Sequence, residues 1–323
     1  MGWFRKGRGF APEEIIFAVT DRCNLRCGHC NVSRKGLDLD ASDVVAFIKS
    51  AGDRIERIGF SGGEPFLRPE FLCAVAGYAA ASGLMFDRIA TNGCWWKSEE
   101  ELNSVLDALY SSGFDGKIAL SLDGWHGQSA EKAAEFCRAV RRFSGAGDSL
   151  WIQAVRKSRQ EDDALLGEFA ECLGCGLTPF TGRNGLGSVM IHGGDYVIHA
   201  DWTPRSLLPG DPGAWKSSRW FRDDFCEGPG QVLFVHPDGR IAPCCGFANE
   251  NDALILGNIK ESYSQVMARA PENPMVKACF SSGLAALRKR LRSSGVKFPG
   301  KTDDMCMFCD FVCSGGFDIS GLV

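Results

Sequence analysis

The 323-residue chain has no apolar window approaching the roughly 18 uninterrupted residues of a membrane-spanning helix. Its first residues, MGWFRKGRGFAPEE, are basic but lack the apolar core of a secretory leader, and Lys6 stands where a myristoylation signal asks for Ser or Thr. Nor is one charge in excess. Thirty-six basic against 40 acidic residues leave a net charge of -4, which marks neither a nucleic-acid binder nor a polybasic membrane anchor. No internal repeat or low-complexity tract is present. These absences lead to the expectation of a cytoplasmic globular protein without nucleic-acid or membrane partners, its apolar content of 45% ample for a core.

What the chain has in quantity is cysteine, fifteen in all. In a reducing compartment that number argues for metal or redox chemistry over a disulfide framework.

From residue 14 to about 181, short apolar runs alternate with amphipathic segments. EIIFAV (14–19), RIGF (57–60), FDRIAT (86–91), KIALSL (117–122), LWIQAV (150–155) and LTPF (177–180) are expected as strands. The segments between them begin with Asp, Ser or Pro, end at Gly and are expected as helices. Helical crossovers force neighbouring strands parallel, and six strands fall short of the eight of a closed barrel. The expected fold is therefore α/β, an incomplete (β/α)6 TIM-like barrel over residues 1–200. Beyond about residue 182 the period gives way to Gly-, Pro- and Trp-rich sequence, expected as linker or substrate-facing loop. A small second domain is expected over 201–323, opening with the hairpin QVLFVHPDGRIAPCC.

The motif TDRCNLRCGHC places Cys23, Cys27 and Cys30 directly after the first strand, at the mouth of such a barrel. Three thiolates at this spacing hold three irons of a [4Fe-4S] cluster and leave the fourth open to a ligand. The rival reading is zinc, which needs a fourth ligand, and His29 sits inside the motif. FSGGEPFL follows the second strand. Gly62 and Gly63 let backbone approach a ligand, and Glu64 offers a carboxylate to an amino group.

Together these two motifs resemble the radical S-adenosylmethionine superfamily over residues 14–181. The resemblance implies that Cys23, Cys27 and Cys30 hold the cluster. It also implies that S-adenosylmethionine chelates the open iron and that Gly62, Gly63 and Glu64 meet its amino group. Asn92 in ATNG, with Ser121 and Asp123 in LSLDG, match the positions that hold ribose and carboxylate. The chemistry implied is reductive cleavage of the sulfonium to a 5'-deoxyadenosyl radical that abstracts hydrogen, fed by an external electron donor such as flavodoxin or ferredoxin.

Cys226, Gly239 and Cys244, followed by Cys306, Cys309 and Cys313 in CMFCDFVC, resemble the SPASM or shorter twitch extensions that carry auxiliary clusters. The resemblance implies one auxiliary [4Fe-4S] cluster, hence two clusters in all. Cys226, Cys244, Cys306 and Cys309 would hold it as a hairpin pair meeting a C-x-x-C turn, with Cys313 an alternative to one of the four. Zinc is again the rival.

Among radical enzymes the chain is similar to epimerases of ribosomally made peptides, in the PCC of the hairpin, in SLDGWH and in TNGCWW. In those enzymes the second cysteine of the pair donates a hydrogen atom, which implies the same role for Cys245. The resemblance further implies a precursor peptide as substrate. The epimerases carry an acidic residue four positions after the first ligand, where this chain has Gly230, followed by Gln231. No N-terminal stretch has the length of a winged-helix leader-binding domain. Thioether or carbon-carbon crosslinking, small-molecule oxidation, and a non-catalytic iron-sulfur or zinc module remain as alternatives.

Other features carry expectations of their own. Cys94, Cys137 and Cys279 are expected as packing residues, and the Cys172-Cys175 pair as core. Trp95, Trp96, Trp125 and His126 fall on mouth loops, either buried or lining a peptide groove. Arg183 and Asn184 stand near substrate, and LAALRKRLRSS (284–294) is an amphipathic helix with a solvated basic face.

Overall fold

The computed structural model of the chain describes residues 9–180, 187–221, 225–226 and 232–323. They form two units. One comprises Phe17–Val45 and Arg57–Arg205; the other comprises residues up to Ile16, Ala46–Glu56 and Ser206–Val323.

In the first unit the expected βα succession is present: the end of β1 (Glu14–Ala18), then β2 (Arg57–Ser61), β3 (Met85–Thr91), β4 (Lys117–Leu120) and β5 (Leu150–Val155). Helices α2 (Pro69–Ala81), α3 (Glu99–Ser111), α4 (Ala130–Ser144) and α5 (Arg159–Leu173) alternate with these strands, after α1 (Ala41–Ala51). Serine starts three of them. Ser98, Ser129 and Ser158 each accept the backbone N–H three residues on, satisfying one of the donors a helix start leaves over. The strands β2 to β5 pair in parallel, with Ile89 opposite Ile118 and Ile118 opposite Leu150. Their inward side chains Ile58, Ile89, Ile118 and Ile152 have no exposed surface.

The sixth parallel strand is not the one expected. LTPF falls in β6 (Gly176–Phe180), which pairs only with β7 (Ser188–Gly193), antiparallel. The strand beside β5 is β8 (Tyr196–Thr203), parallel to it from Trp151 opposite His199 to Val155 opposite Thr203. Burial explains the choice. Every residue of β6 is exposed, and Pro179 lacks the N–H an interior strand must donate. In β8, Ile198, Ala200 and Trp202 alternate inward and are buried. Residues 188–203 of the stretch expected as loop are thus a hairpin turned at Gly194 and Asp195, between the paired Gly193 and Tyr196, while the described residues that follow stay irregular. The order β1-β2-β3-β4-β5-β8-β7-β6 does not close, so the fold is a partial barrel.

In the second unit, β9 (Val232–Val235) and β10 (Arg240–Ala242) form the expected hairpin. Its turn is closed by Gly239 N–H on His236 O at 2.9 Å, and β11 (Gly257–Asn258) adds to β10 antiparallel. Then come α6 (Tyr263–Arg269), α7 (Pro274–Lys277), α8 (Leu284–Ser293) and α9 (Met305–Ser314). In α8, Leu284, Leu287 and Leu291 are buried while Lys289, Arg290 and Arg292 face water, as the amphipathic pattern requires. Trp220, Phe298 and Phe311 pack with Phe308 of α9 into an aromatic cluster.

CMFCDFVC, expected as a turn, lies within α9. Asp304 caps this helix by accepting from Cys306 N at 2.7 Å and Met307 N at 3.3 Å. Spacings of three and four then bring Cys306, Cys309 and Cys313 to one side of the helix. Among the described residues no helix is long and apolar enough to cross a membrane.

If β8 is a wall of the core, Ile198→Ala, at a wholly buried site, costs about 2–4 kcal/mol, whereas Leu177→Ala in β6, 40% exposed, stays within about 0.5 kcal/mol. Urea melts of the two variants measure the difference, and equal losses would refute the assignment of β8 over β6.

Candidate functional site

The first site is built on the loop that follows β1. Asp21 fixes its return: Oδ1 accepts from Gly36 N and Leu37 N at 2.8 Å, and Oδ2 from Lys35 N at 2.8 Å. Thr20 Oγ1 donates to Asp38 at 2.6 Å, and Asp38 also pairs with Arg22 at 3.2 Å and Arg68 at 3.0 Å. Both ends of the segment bearing Cys23, Cys27 and Cys30 are thereby anchored.

Against this loop lies the segment after β2. Gly63 N–H donates to Thr20 O at 2.7 Å and Glu64 N–H to Arg22 O at 2.8 Å. A Cβ on Gly62 would collide with Thr20 O and one on Gly63 with Arg22 O, and Gly62 also has φ +132°. Only glycine fits at either position.

The three thiols are gathered by this arrangement. Burial pushes the Cys27 thiol up to about 11, with the charges of Cys23 and Cys30 adding to it. Burial raises Cys23 as well, although its sulfur accepts from Leu25 N at 3.4 Å and Asn92 Nδ2 at 3.7 Å. Thiols that repel one another when ionised favour a bound cation, which takes up their charge and releases their protons.

Glu64 is placed otherwise than as an exposed carboxylate. It is wholly buried, with Oε1 accepting from Thr91 Oγ1 at 2.8 Å and Phe66 N at 3.2 Å, and Oε2 accepting from Asn92 N at 2.8 Å. It therefore braces β2 against β3. Burial pushes its carboxyl up to about 7 against the pull of those donors.

Asn92 sits at the same junction, donating to Asn24 Oδ1 at 2.8 Å and to the Cys23 sulfur. Gln128 ties the end of β3 to that of β4, donating to Asn92 O and to Ser121 O, the latter at 2.6 Å. Ser121 is half-buried.

Asp123 has no exposed surface. Its Oδ1 meets His126 Nδ1 at 2.8 Å and Trp125 N at 2.9 Å, while Oδ2 accepts from Val155 N at 2.8 Å. Burial alone would raise Asp123, but His126 and the backbone donors outweigh it and hold the carboxyl below the usual range. His126 in turn stands edge-on to His29, ring centres 4.9 Å apart. Trp125 covers Gly28, and its ring has the cations of Arg205 and Lys157 at 5.6 and 5.9 Å. Trp95 and Trp96 are buried, Trp95 stacked on Phe66 at 4.9 Å.

The second site lies in the second unit. Burial raises the Cys244 thiol well above its ordinary value, and the charges of Cys226, Cys309, Cys306 and Cys245 add to it. Cys306 is raised by burial and by Asp304, Cys309, Cys226 and Cys245. Cys226, Cys244, Cys306 and Cys309 thus share one neighbourhood, and half-buried Cys245 acts on Cys244 and Cys306 within it. Cys313, pushed up to about 12 by burial, has Cys309 and Asp310 as its charged neighbours.

Cys279, expected as a packing residue, is buried, and its sulfur lies 3.8 Å from that of Cys309, a contact that sequence reasoning did not foresee. Such reasoning also missed Asp21, Thr91 and Gln128, whose bonds join segments distant in the chain. Asp21, immediately before the cysteine motif, carried the one local signal. Cys172 is exposed and Cys175 half-buried, so that pair is not core, because it ends α5 at the surface. Cys137 is buried as expected and Cys94 half-buried. Arg183, Asn184, Gly230 and Gln231 lie outside the described residues.

Among the described residues no three His, Cys, Asp or Glu side chains are close enough for a single metal ion. A four-iron cluster needs a wider set, one thiolate per iron. The donors fit such a group at both sites: three mutually repelling thiols beside a glycine cradle, and four buried or half-buried thiols in one neighbourhood.

Residues 17–161 match the radical SAM superfamily and residues 226–282 an iron-sulfur cluster-binding domain, SPASM. A GTP 3',8-cyclase of Chlorobaculum tepidum is 36% identical over 119 residues, 36% of this chain and 34% of its own. A PqqA peptide cyclase of Methylorubrum populi is 31% identical over 127 residues, 38% of this chain and 31% of its own. The matched stretch spans about a third of these curated relatives. SuiB of Streptococcus suis, in its structure bound to precursor peptide SuiA, shares the fold with a TM-score of 0.55 over 92% of this chain and 76% of its own, at 16% identity.

Gly63→Ala should cost about 2–4 kcal/mol in denaturant melts and lower the iron retained at the first site. Gly77→Ala, with Ser112 O a relaxed 3.7 Å from the added Cβ, should leave both unchanged or gain slightly. Glu64 has a raised carboxyl, so its contribution to stability is full below the ordinary carboxylate range and lost as pH rises through about 7. Metal-free protein should therefore lose about 3 kcal/mol between pH 4 and 8 relative to Glu64→Gln. Parallel slopes in urea titrations would contradict this.

Proposed function

Given that the chain carries a radical SAM domain followed by an iron-sulfur cluster-binding SPASM domain, we propose that it is a radical enzyme that epimerises Cα centres of a peptide, with Cys245 as hydrogen donor. Its cofactors are S-adenosylmethionine and [4Fe-4S] clusters. When bound, they supply a 5'-deoxyadenosyl radical by one-electron cleavage of the sulfonium.

The chain's own residues divide the remaining work. Cys23, Cys27 and Cys30 hold the first cluster, while Cys226, Cys244, Cys306 and Cys309 hold the second. The peptide groups of Gly62 and Gly63 would receive the ammonium of the cofactor, on a segment that Glu64 braces against β3. Asn92 and Ser121, at adjacent strand ends, would hold its ribose, and Asp123 orients His126. An electron carrier such as flavodoxin or ferredoxin supplies the reducing equivalent, in the cytoplasm.

The observation that carries the epimerase reading is Cys245, half-buried beside Cys244 and within reach of the Cys306 charge. An S–H bond is weaker than an ordinary C–H bond. A thiol at this place can quench a Cα radical from the face opposite abstraction and so invert the centre. The likeness to a PqqA peptide cyclase supports a peptide substrate. The same likeness favours a second reading, crosslinking of a peptide, in which two hydrogens are lost.

Incubation with reductant, S-adenosylmethionine and a candidate precursor peptide should yield 5'-deoxyadenosine and methionine. In D2O the peptide should gain one deuterium at Cα; a loss of two mass units would select crosslinking instead. Cys245→Ala should keep cofactor cleavage and iron content while inversion drops by at least about 100-fold, the scale for loss of a reacting group. Loss of a whole cluster in that variant would make Cys245 a ligand and remove the main support for epimerisation.

A further inference from the structure

The Cys279 and Cys309 sulfurs lie 3.8 Å apart in a buried pocket of the second unit. Local structure holds Cys279 there. Helix α7 runs on into a π-helical turn, Ala278–Ser282, an insertion that recurs at functional sites because it redirects one side chain out of the regular 3.6-residue repeat. Within that turn Ala278, Cys279 and Phe280 are all buried. The Cys279 carbonyl accepts from Cys226 N at 2.9 Å. One residue is thus tied by its backbone to the first cysteine of the set and by its side chain to Cys309. Cys226, Cys244 and Cys313 are near enough for their charges to act on it.

A disulfide would require about 2.05 Å between the sulfurs. Two sulfurs each about 2.3 Å from one metal ion, at the tetrahedral angle, stand about 3.8 Å apart. We propose that Cys279 and Cys309 address the same iron of the auxiliary cluster as alternative ligands. This rests on the reading in which Cys226, Cys244, Cys306 and Cys309 hold that cluster.

Each iron of an intact [4Fe-4S] cluster is bound to three sulfides and accepts one thiolate, so one of the pair binds while the other stays a thiol within S–H···S reach. Exchange breaks the Fe–S bond to Cys309 and forms one to Cys279, and the proton passes from the incoming thiol to the outgoing thiolate. No electron moves and the total charge is unchanged. Cys313 is a weaker candidate for this corner: its charge reaches Cys279 and Cys309, but the 3.8 Å sulfur contact joins those two.

The test uses the full chain with Cys23, Cys27 and Cys30 all replaced by Ala, so that only the second site binds iron. Variants are reconstituted anaerobically with iron and sulfide, and their folding is checked by circular dichroism. Cys279→Ala and Cys309→Ala should each keep about four irons per chain and the EPR g values of the fully thiolate-ligated reduced cluster. The double variant, with one iron left without a thiolate, should lose iron or shift those g values. Loss of the cluster in Cys309→Ala alone, or in Cys279→Ala alone, overturns the proposal. Should Cys309→Ala not fold, Cys309→Ser replaces it. Closure by Cys279 then leaves the EPR g values of the reduced cluster unchanged, whereas an oxygen ligand shifts them and overturns the proposal. Cys306→Ala separates the underlying reading: full iron with unchanged EPR g values there, or in the double variant, overturns the ligand set itself.

Discussion

The close approach of two loops without room for a Cβ underlies the first site. Gly62 and Gly63 let the segment after β2 hydrogen-bond to Thr20 O and Arg22 O, immediately before Cys23. Both segments leave the same edge of the sheet, because the strands are parallel and their C-terminal ends lie together. Glu64 extends the link to β3 through Thr91 and Asn92, and Gln128 extends it to β4 through Ser121 O. The cysteine loop thus rests on three strand ends. A buried carboxylate receiving three hydrogen bonds is an expensive brace, and its raised carboxyl shows how much of the burial cost remains.

The second site obeys a different constraint. Several thiols share one buried neighbourhood, and burial together with mutual charge pushes them upward. Hydrophobic packing alone gives no reason to gather so many ionisable sulfurs, whereas a cluster that takes one thiolate per iron does. Asp304 at the start of α9 sets the helical phase that brings Cys306 and Cys309 into the set, and the aromatic cluster around Phe308 fixes the helix in place.

Much of the fold was legible because its signals are local. The apolar runs of β1 to β5, the serine caps and the cysteine spacing each need only a few neighbouring residues to be read. The errors have physical reasons of the same kind. LTPF resembles a strand and is one, but which strand stands beside β5 depends on which has an apolar face to bury. Ile198, Ala200 and Trp202 supply that face after a Gly-rich stretch that reads as loop. CMFCDFVC carries cluster spacing and helical spacing at once, and the cap at Asp304 decides for the helix. Cys279 is isolated in sequence, so no motif could bring it to Cys309.

The sequence by itself determined the barrel-like alternation and carried the cysteine spacings that resemble an iron-sulfur family, since spacing constrains what a short loop or a single helix can hold. Tertiary structure alone decided which side chains meet. It turned Glu64 and Asp123 inward as braces, chose β8 as the sixth parallel strand and set Cys279 against Cys309. Each of these depends on burying groups that are remote in the chain, and burial has no representation in local sequence.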